Sequence, residues 1–323
     1  MDVSAFGSCL FLGARYHFIL EELSNVTVQQ YFAPYVAEIE AKGRRVVSLA
    51  EDVGGVFDTV FVLLPKNRVE AEYITAQGLR VLSPGGRIFC AADNKAGGTR
   101  IKKMLQEFGV SDLSDMSKNK ARVVWGRANS IDQDAVLKAL DGGAMCFCEK
   151  TGFFSQPGLY GWDKIDRGSE ILLQHLPCDL RGRGADFGCG YGYLAQFVLQ
   201  HCAGVKALAC LEADARALLA CRKNLEEYDG RVDFVQADLT RKIAVTNALD
   251  FIVMNPPFHE GKTSDFTLGM AFIVTAAQAL KAGGALYMVA NAHLPYEAAL
   301  QQNFSVVDKV FEGQGFKVYK AVR

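Results

Sequence analysis

Nowhere in the 323-residue chain is there an apolar run of the roughly 18 residues that a membrane-spanning helix needs. The apolar stretch Ala5 to Gly13 follows an acidic Asp2 and has no basic lead-in, so no signal peptide is expected. The cysteines form no paired CxxC module of the kind that holds zinc, and no metal is expected. They number nine, an odd count, and several sit inside apolar runs, where a free thiol behaves as a small hydrophobe. A reduced, cytoplasmic compartment fits that usage. Charge of one sign is also lacking: the formal net charge is −1, which excludes a non-specific, charge-driven nucleic-acid binder but leaves room for a local basic face. What is present is half hydrophobic and 22% charged, the composition of a packed globular protein. The length allows one large domain or two of ordinary size, and a monomer with no membrane partner is the expected state.

The C-terminal half alternates strand and helix signals. A strand closes at Ala185-Asp-Phe-Gly188, Tyr193 to Gln200 has helical spacing, and Val205 to Leu211 is an apolar strand. A helix over Ala213 to Glu227, strands over Val232 to Val235 and Leu249 to Met254, and a helix from about Leu268 to Leu280 follow. Gly283-Gly284 is expected to end that helix, with a last strand over Ala285 to Val289. This rhythm predicts a doubly wound α/β fold, a mostly parallel sheet with helices on both faces.

The N-terminal half is a weaker copy. Asp58-Thr-Val-Phe-Val-Leu-Leu-Pro-Lys66 aligns with Asp250-Phe-Ile-Val-Met-Asn-Pro-Pro-Phe258. Leu82-Ser-Pro-Gly-Gly-Arg-Ile-Phe-Cys90 aligns with Leu280-Lys-Ala-Gly-Gly-Ala-Leu-Tyr-Met288. We read a tandem duplication, residues 1–150 and 151–323, with the boundary inside Ala128 to Phe154 and a helix candidate over Asp132 to Leu140. The copies are not chemically equal. The first has no Gly-rich turn after a strand, and Pro65-Lys66 replaces Asn-Pro-Pro-Phe, so it is expected to have kept the fold and lost the site.

In the second copy, Asp186-Phe-Gly188-Cys-Gly190-Tyr-Gly192 closes the first strand and lets the backbone approach a ligand. Glu212 ends the next strand, placed to accept from two ribose hydroxyls, and Asp238 ends the third, suited to an adenine amine. A solvated helix cap is the plainer alternative for both. The turn lacks the two-residue gap of G-x-G-x-x-G, so nothing is organised for a pyrophosphate, and Asp186 suits an ammonium better than phosphate oxygens. A cofactor with one ribose, one adenine, an ammonium and no phosphate fits: S-adenosylmethionine. Cys189, with no activating charge near it in sequence, is read as packing.

After the fourth strand, Asn255-Pro256-Pro257-Phe258 offers a fixed side-chain carbonyl, a free backbone carbonyl on Pro256 and a stacking ring on Phe258. Two fixed acceptors can hold both hydrogens of a planar NH₂ and aim its nitrogen at a methyl sulfonium, in direct in-line transfer. The target is then a conjugated amine, on a nucleobase or a glutamine amide. His259, Glu260 and His293 could carry a proton, but polar side chains turned to water are the plainer reading.

These residues resemble a class I adenosylmethionine-dependent methyltransferase acting on an exocyclic amine. More specific are Pro256-Pro-Phe-His-Glu-Gly261, Ala290-Asn-Ala-His-Leu-Pro-Tyr296, Phe316-Lys-Val-Tyr-Lys-Ala321, and Pro157-Gly158 leading into Ile165-Asp-Arg-Gly168-Ser169. With them the chain resembles the ribosomal RNA small-subunit guanine-N2 methyltransferase C family. Pro65-Lys66-Asn67, Glu70-Ala71 and Asp93-Asn94-Lys95-Ala-Gly97 resemble that family's degenerate first domain, so the likeness spans nearly the whole chain. The resemblance implies two class I (Rossmann-like) methyltransferase folds in tandem and methylation of a guanine N2 in 16S ribosomal RNA or the small subunit. It places cofactor contacts on Asp186, Gly188, Gly190, Glu212 and Asp238, and target contacts on Asn255, Pro256 and Phe258. His293 stands where the family has an aromatic residue, and Tyr160 where a Phe precedes a Ser.

Arg87 to Arg127 holds nine basic residues against four acidic ones, a local excess suited to gripping RNA phosphates from the copy without a site. A solvated helix face is the plainer alternative. Competing functions are guanine-N2 methylation of large-subunit RNA, methylation of a protein glutamine or adenine N6, and a non-catalytic RNA-binding assembly factor.

Overall fold

The computed structural model describes residues 6–244, 247–257 and 263–323, the last without the side chains of 263–266. Phe258, His259 and Glu260 therefore lie outside the described residues. The chain divides into two compact units, Met1–Met145 with Gln156–Gly158, and Cys146–Ser155 with Leu159–Arg323.

In chain order the first unit runs β1 (Cys9–Leu12), α1 (Ile19–Glu22), β2 (Val26–Gln29), α2 (Ala33–Glu40), β3 (Val46–Val47) and β4 (Phe57–Leu63). It continues with α3 (Arg68–Arg80), β5 (Leu82–Asp93), α4 (Ile101–Glu107), β6 (Ser111–Lys118), β7 (Ala121–Arg127) and α5 (Gln133–Gly143). The second unit opens on a hairpin, β8 (Cys146–Cys148) and β9 (Phe153–Ser155), then α6 (Arg167–Gln174), β10 (Arg181–Phe187), α7 (Tyr193–His201), β11 (Gly204–Glu212) and α8 (Ala215–Asn224). After these come β12 (Val232–Gln236), β13 (Leu249–Met254), α9 (Thr263–Ala279), β14 (Leu280–Asn291), α10 (Glu297–Asn303), β15 (Val306–Gly313) and β16 (Phe316–Val322).

Each unit builds one seven-stranded sheet, and the orders are the same: β3-β2-β1-β4-β5-β7-β6 and β12-β11-β10-β13-β14-β16-β15. In both, only the strand next to last in that order runs against its neighbours. The duplication extends to a detail that corrects one expectation. Gly283-Gly284 does not end α9; β14 starts directly after that helix, and the glycines lie inside the strand at a register shift against β13. Gly283 adopts φ +76°, and Gly85 does the same in β5 with φ +72°, opposite a matching shift in β4. The bonds repeat as well: Gly283 N–H donates to the Arg323 carbonyl and Gly85 N–H to the Ala128 carbonyl, both at 2.9 Å. A bulge needs the left-handed backbone that glycine adopts without strain.

The second sheet is covered on both faces. Phe272, Ile273, Ala276 and Leu300 from α9 and α10 pack on one side, and Ile171, Leu194, Val198 and Cys221 from α6, α7 and α8 on the other. Each fully buried Leu or Ile side chain there is worth about 1.5–3 kcal/mol. Two buried faces explain why β11 and β13 are mostly apolar, Lys206 and Asp250 being their charged interior positions. Among the described residues no helix is long and apolar enough to cross a membrane.

Candidate active site

The chain order of the second sheet reverses at β10, which lies between β11 and β13. In such sheets the carboxyl ends of the central strands open a crevice. Phe187 is in register with Leu211 on one side and Met254 on the other, so Gly188, Glu212 and Asn255 emerge side by side. Three of the residues expected from sequence are brought together by that register alone.

The glycine turn has Gly188, Gly190 and Gly192 at φ +73°, +54° and +96°, all left-handed. A Cβ on Gly190 would meet nothing within 4 Å, so its backbone faces open space. Gly188 N–H donates to the Leu211 carbonyl at 2.8 Å, and Gly192 caps α7. Asp186 is fully buried at the end of β10, and its two carboxylate oxygens take no well-formed hydrogen bond among the described residues. Burial pushes its carboxyl well above the usual range, Cys210 and Glu212 add to the rise, and the Ala195 N–H offsets only part of it. A cation is what such a carboxylate lacks. Orphaned Asp186 and the open side of Gly190 together fit the ammonium and the close approach of S-adenosylmethionine.

Glu212 accepts the Gly190 N–H at 2.9 Å and the Ala213 and Asp214 N–H groups at 2.7 and 3.1 Å. Burial raises its pKa and these backbone donors counter the rise. Its carboxylate is thereby locked across the glycine turn, with lone pairs remaining for hydroxyl donors. Asp238 differs from the expectation that it closes a strand. β12 ends at Gln236, and Asp238 sits in the following turn, where it accepts from Thr240 N–H at 3.0 Å and pairs with Arg241 at 3.2 Å. Local turn chemistry orients that side chain, with lone pairs left for a further donor.

Asn255 leaves β13 with Pro256 buried and Pro257 exposed behind it. Its Nδ2 donates to Asp166 Oδ2 at 2.7 Å and to Ser169 Oγ at 2.8 Å. Its Oδ1 is buried and has no partner among the described residues. An amide carbonyl in that state costs about 1–3 kcal/mol until a donor arrives. Phe258 lies outside the described residues. Sequence reasoning gives no role to Asp166 and Ser169, although the spacing of a helix N-cap is visible there: Asp166 accepts from Ser169 N–H at 2.8 Å and starts α6. Cys189 belongs to the core, its sulfur within 4.8 Å of those of Cys210 and Cys221, and burial pushes its thiol well up. His293 is exposed.

The profile of the methyltransferase small domain family matches residues 150–320, and that of the methyltransferase small domain N-terminal family matches residues 7–125. The ribosomal RNA small subunit methyltransferase C of Shewanella amazonensis is 32% identical over 272 residues, 81% of this chain and 76% of that protein. Its counterpart from Stutzerimonas stutzeri is 28% identical over 323 residues, 98% of this chain and 95% of that protein. A solved T. thermophilus 16S rRNA N2 methyltransferase, in complex with AdoMet and guanosine, shares the fold with a TM-score of 0.83 at 22% identity, covering 98% of this chain and 88% of that one. The tandem sheets, the glycine turn and a relative at 32% identity covered over most of its length lead to one conclusion: the chain belongs to the ribosomal RNA small subunit methyltransferase C family.

Proposed function

We propose that this chain transfers the methyl group of S-adenosylmethionine to the exocyclic N2 amine of a guanine in 16S ribosomal RNA. The observation that carries the reading is the buried Asn255 Oδ1, without a partner among the described residues, at a strand end beside the glycine turn. Family membership, the names of the curated relatives and the guanosine complex of the T. thermophilus protein support it.

When bound, the cofactor supplies an electrophilic methyl on a sulfonium. Asp186 neutralises its ammonium, Gly188 and Gly190 admit it, Glu212 accepts from the ribose hydroxyls and Asp238 from the adenine amine. Asn255 Oδ1 and the Pro256 carbonyl each accept one hydrogen of the guanine NH₂, which holds the nitrogen in line with the methyl. Phe258 stacks on the base. The extra proton leaves the nitrogen for solvent, so the chain needs no strong base. The first unit grips RNA phosphates, and residues 151–323 do the chemistry. Nine free thiols accord with work in the reducing cytoplasm.

Asn255→Ala tests the reading. Losing one hydrogen bond to a positioned amine should raise the barrier by about 2–4 kcal/mol, by analogy with losing one oxyanion-hole donor. Tritiated-methyl transfer to 16S RNA should fall accordingly while calorimetric affinity for adenosylhomocysteine stays unchanged. Undiminished transfer would remove Asn255 from the mechanism.

A further inference from the structure

The two ends of an asparagine amide are nearly the same shape, and swapping them exchanges an acceptor for a donor. A donor turned toward a target NH₂ would oppose its hydrogens, so an Asn that accepts from that group has to be prevented from flipping. We propose that Asp166 and Ser169 are positioning residues that hold the Asn255 amide in its accepting orientation and through it set the rate of methyl transfer. The proposal rests on the role given to Asn255 above.

The chemistry of the contacts decides the orientation. Asp166 is a carboxylate, and Oδ2 already accepts the Ser169 N–H at 2.8 Å, so it can face only the nitrogen end of Asn255, at 2.7 Å. Ser169 Oγ takes the second Nδ2 hydrogen at 2.8 Å. Both hydrogens are spent on groups 89 and 86 residues away in sequence, and Oδ1 is left buried and without a partner among the described residues. Asp166 is itself held. It caps α6, and its Oδ1 accepts from Tyr160 OH at 2.6 Å. A Cβ on Gly168 would lie 3.1 Å from Asp166 Oδ2 and 3.0 Å from the Phe316 ring, so glycine lets the cap sit tight against β16. The Tyr160 hydroxyl is the third donor to the carboxylate, after Ser169 N–H and Asn255 Nδ2.

Single-turnover methyl transfer to 16S RNA tests the idea with Ser169→Ala and Asp166→Ser, the latter keeping an N-cap side chain on α6. Each should slow transfer about tenfold, with KM for RNA and affinity for adenosylhomocysteine within about twofold. Asp166→Asn, whose carbonyl can accept from both Ser169 N–H and Asn255, should recover most of the loss. In an Asn255→Ala background neither change should cost more than about twofold, because the group they orient is gone. Equal losses with and without Asn255, or full transfer rates in folded Ser169→Ala, would overturn the proposal. Should Asp166→Ser fail to fold, Ser169→Ala removes a single oxygen and decides alone. No transfer by the unaltered chain would instead reject the reading of function.

Discussion

Asp186 and Glu212 stand at the ends of neighbouring strands, yet their surroundings differ in kind. Glu212 is tied to three backbone N–H groups, whereas Asp186 is buried without a well-formed bond among the described residues. Burial therefore lifts the Asp186 pKa well above its ordinary value near 4. Between its unfolded and folded values the folded chain keeps a proton that the unfolded chain has lost. The associated stability is complete below the unfolded value and is lost as pH rises through the folded one. An ammonium against Asp186 favours the ionised form, so cofactor binding should expel that proton. Calorimetry of adenosylhomocysteine binding in buffers of different ionisation enthalpy should show proton release, reduced together with affinity in Asp186→Asn. Binding heats independent of buffer throughout a pH series that spans the folded-state titration would place the ammonium elsewhere.

The glycine turn between β10 and α7 uses its left-handed residues for different ends. At Gly190 a Cβ would enter open space, so Gly190→Ala should lower stability only by the backbone cost, about 1–2 kcal/mol, while obstructing the cofactor. At Gly192 the Cβ would come within 2.9 Å of the Cys221 sulfur, inside the core under α8. Gly192→Ala should therefore lose about 1–3 kcal/mol beyond the backbone cost. Urea unfolding of the two variants should rank Gly192→Ala as clearly the less stable, and equal midpoints at equal m-values would contradict this account of the turn.

Two units with one strand order differ in the turn that follows their first central strand. The turn after β1 has a single glycine, Gly13, whose N–H is held by Gln29 Oε1 at 3.0 Å, the place that Glu212 and Gly190 occupy in the second unit. A neutral amide and the nearby Arg15, stacked on Tyr35, replace the acidic cradle. What the first unit offers is basic charge. Lys118 and Lys120 flank the β6–β7 turn, where Asn119 and Lys120 adopt φ +53° and +62°. Lys102 and Lys103 lie exposed on α4, only loosely paired with Asp115 and Glu107 at 3.9 and 3.7 Å. Replacing these four lysines with Glu should weaken RNA binding and flatten its salt dependence by about 0.7 for each phosphate that is no longer neutralised, with cofactor affinity unchanged. Filter binding across a salt series checks this, and an unchanged slope would take the RNA grip away from this face.

Most strand positions of the second unit, the duplication and the glycine and proline turns were legible because each is written in neighbouring residues. Mostly apolar runs mark β11 and β13, glycines mark the turn at 188–192, and prolines stiffen the bend after Asn255. Gly283-Gly284 was legible as punctuation but not as a bulge, since the same dipeptide can end a helix or kink a strand and only the partner strand decides. Asp238 looked like a strand-end carboxylate because strand length is not encoded to the residue; two further positions place it in a turn that uses its oxygens locally. The orientation of Asn255 was not legible at all. It depends on hydrogen bonds to Asp166 and Ser169, and such bonds form only when sheet register and the packing of α6 bring distant segments within 3 Å. Local residue chemistry determines what a turn can offer, while the fold alone determines which of its atoms remain free to offer it.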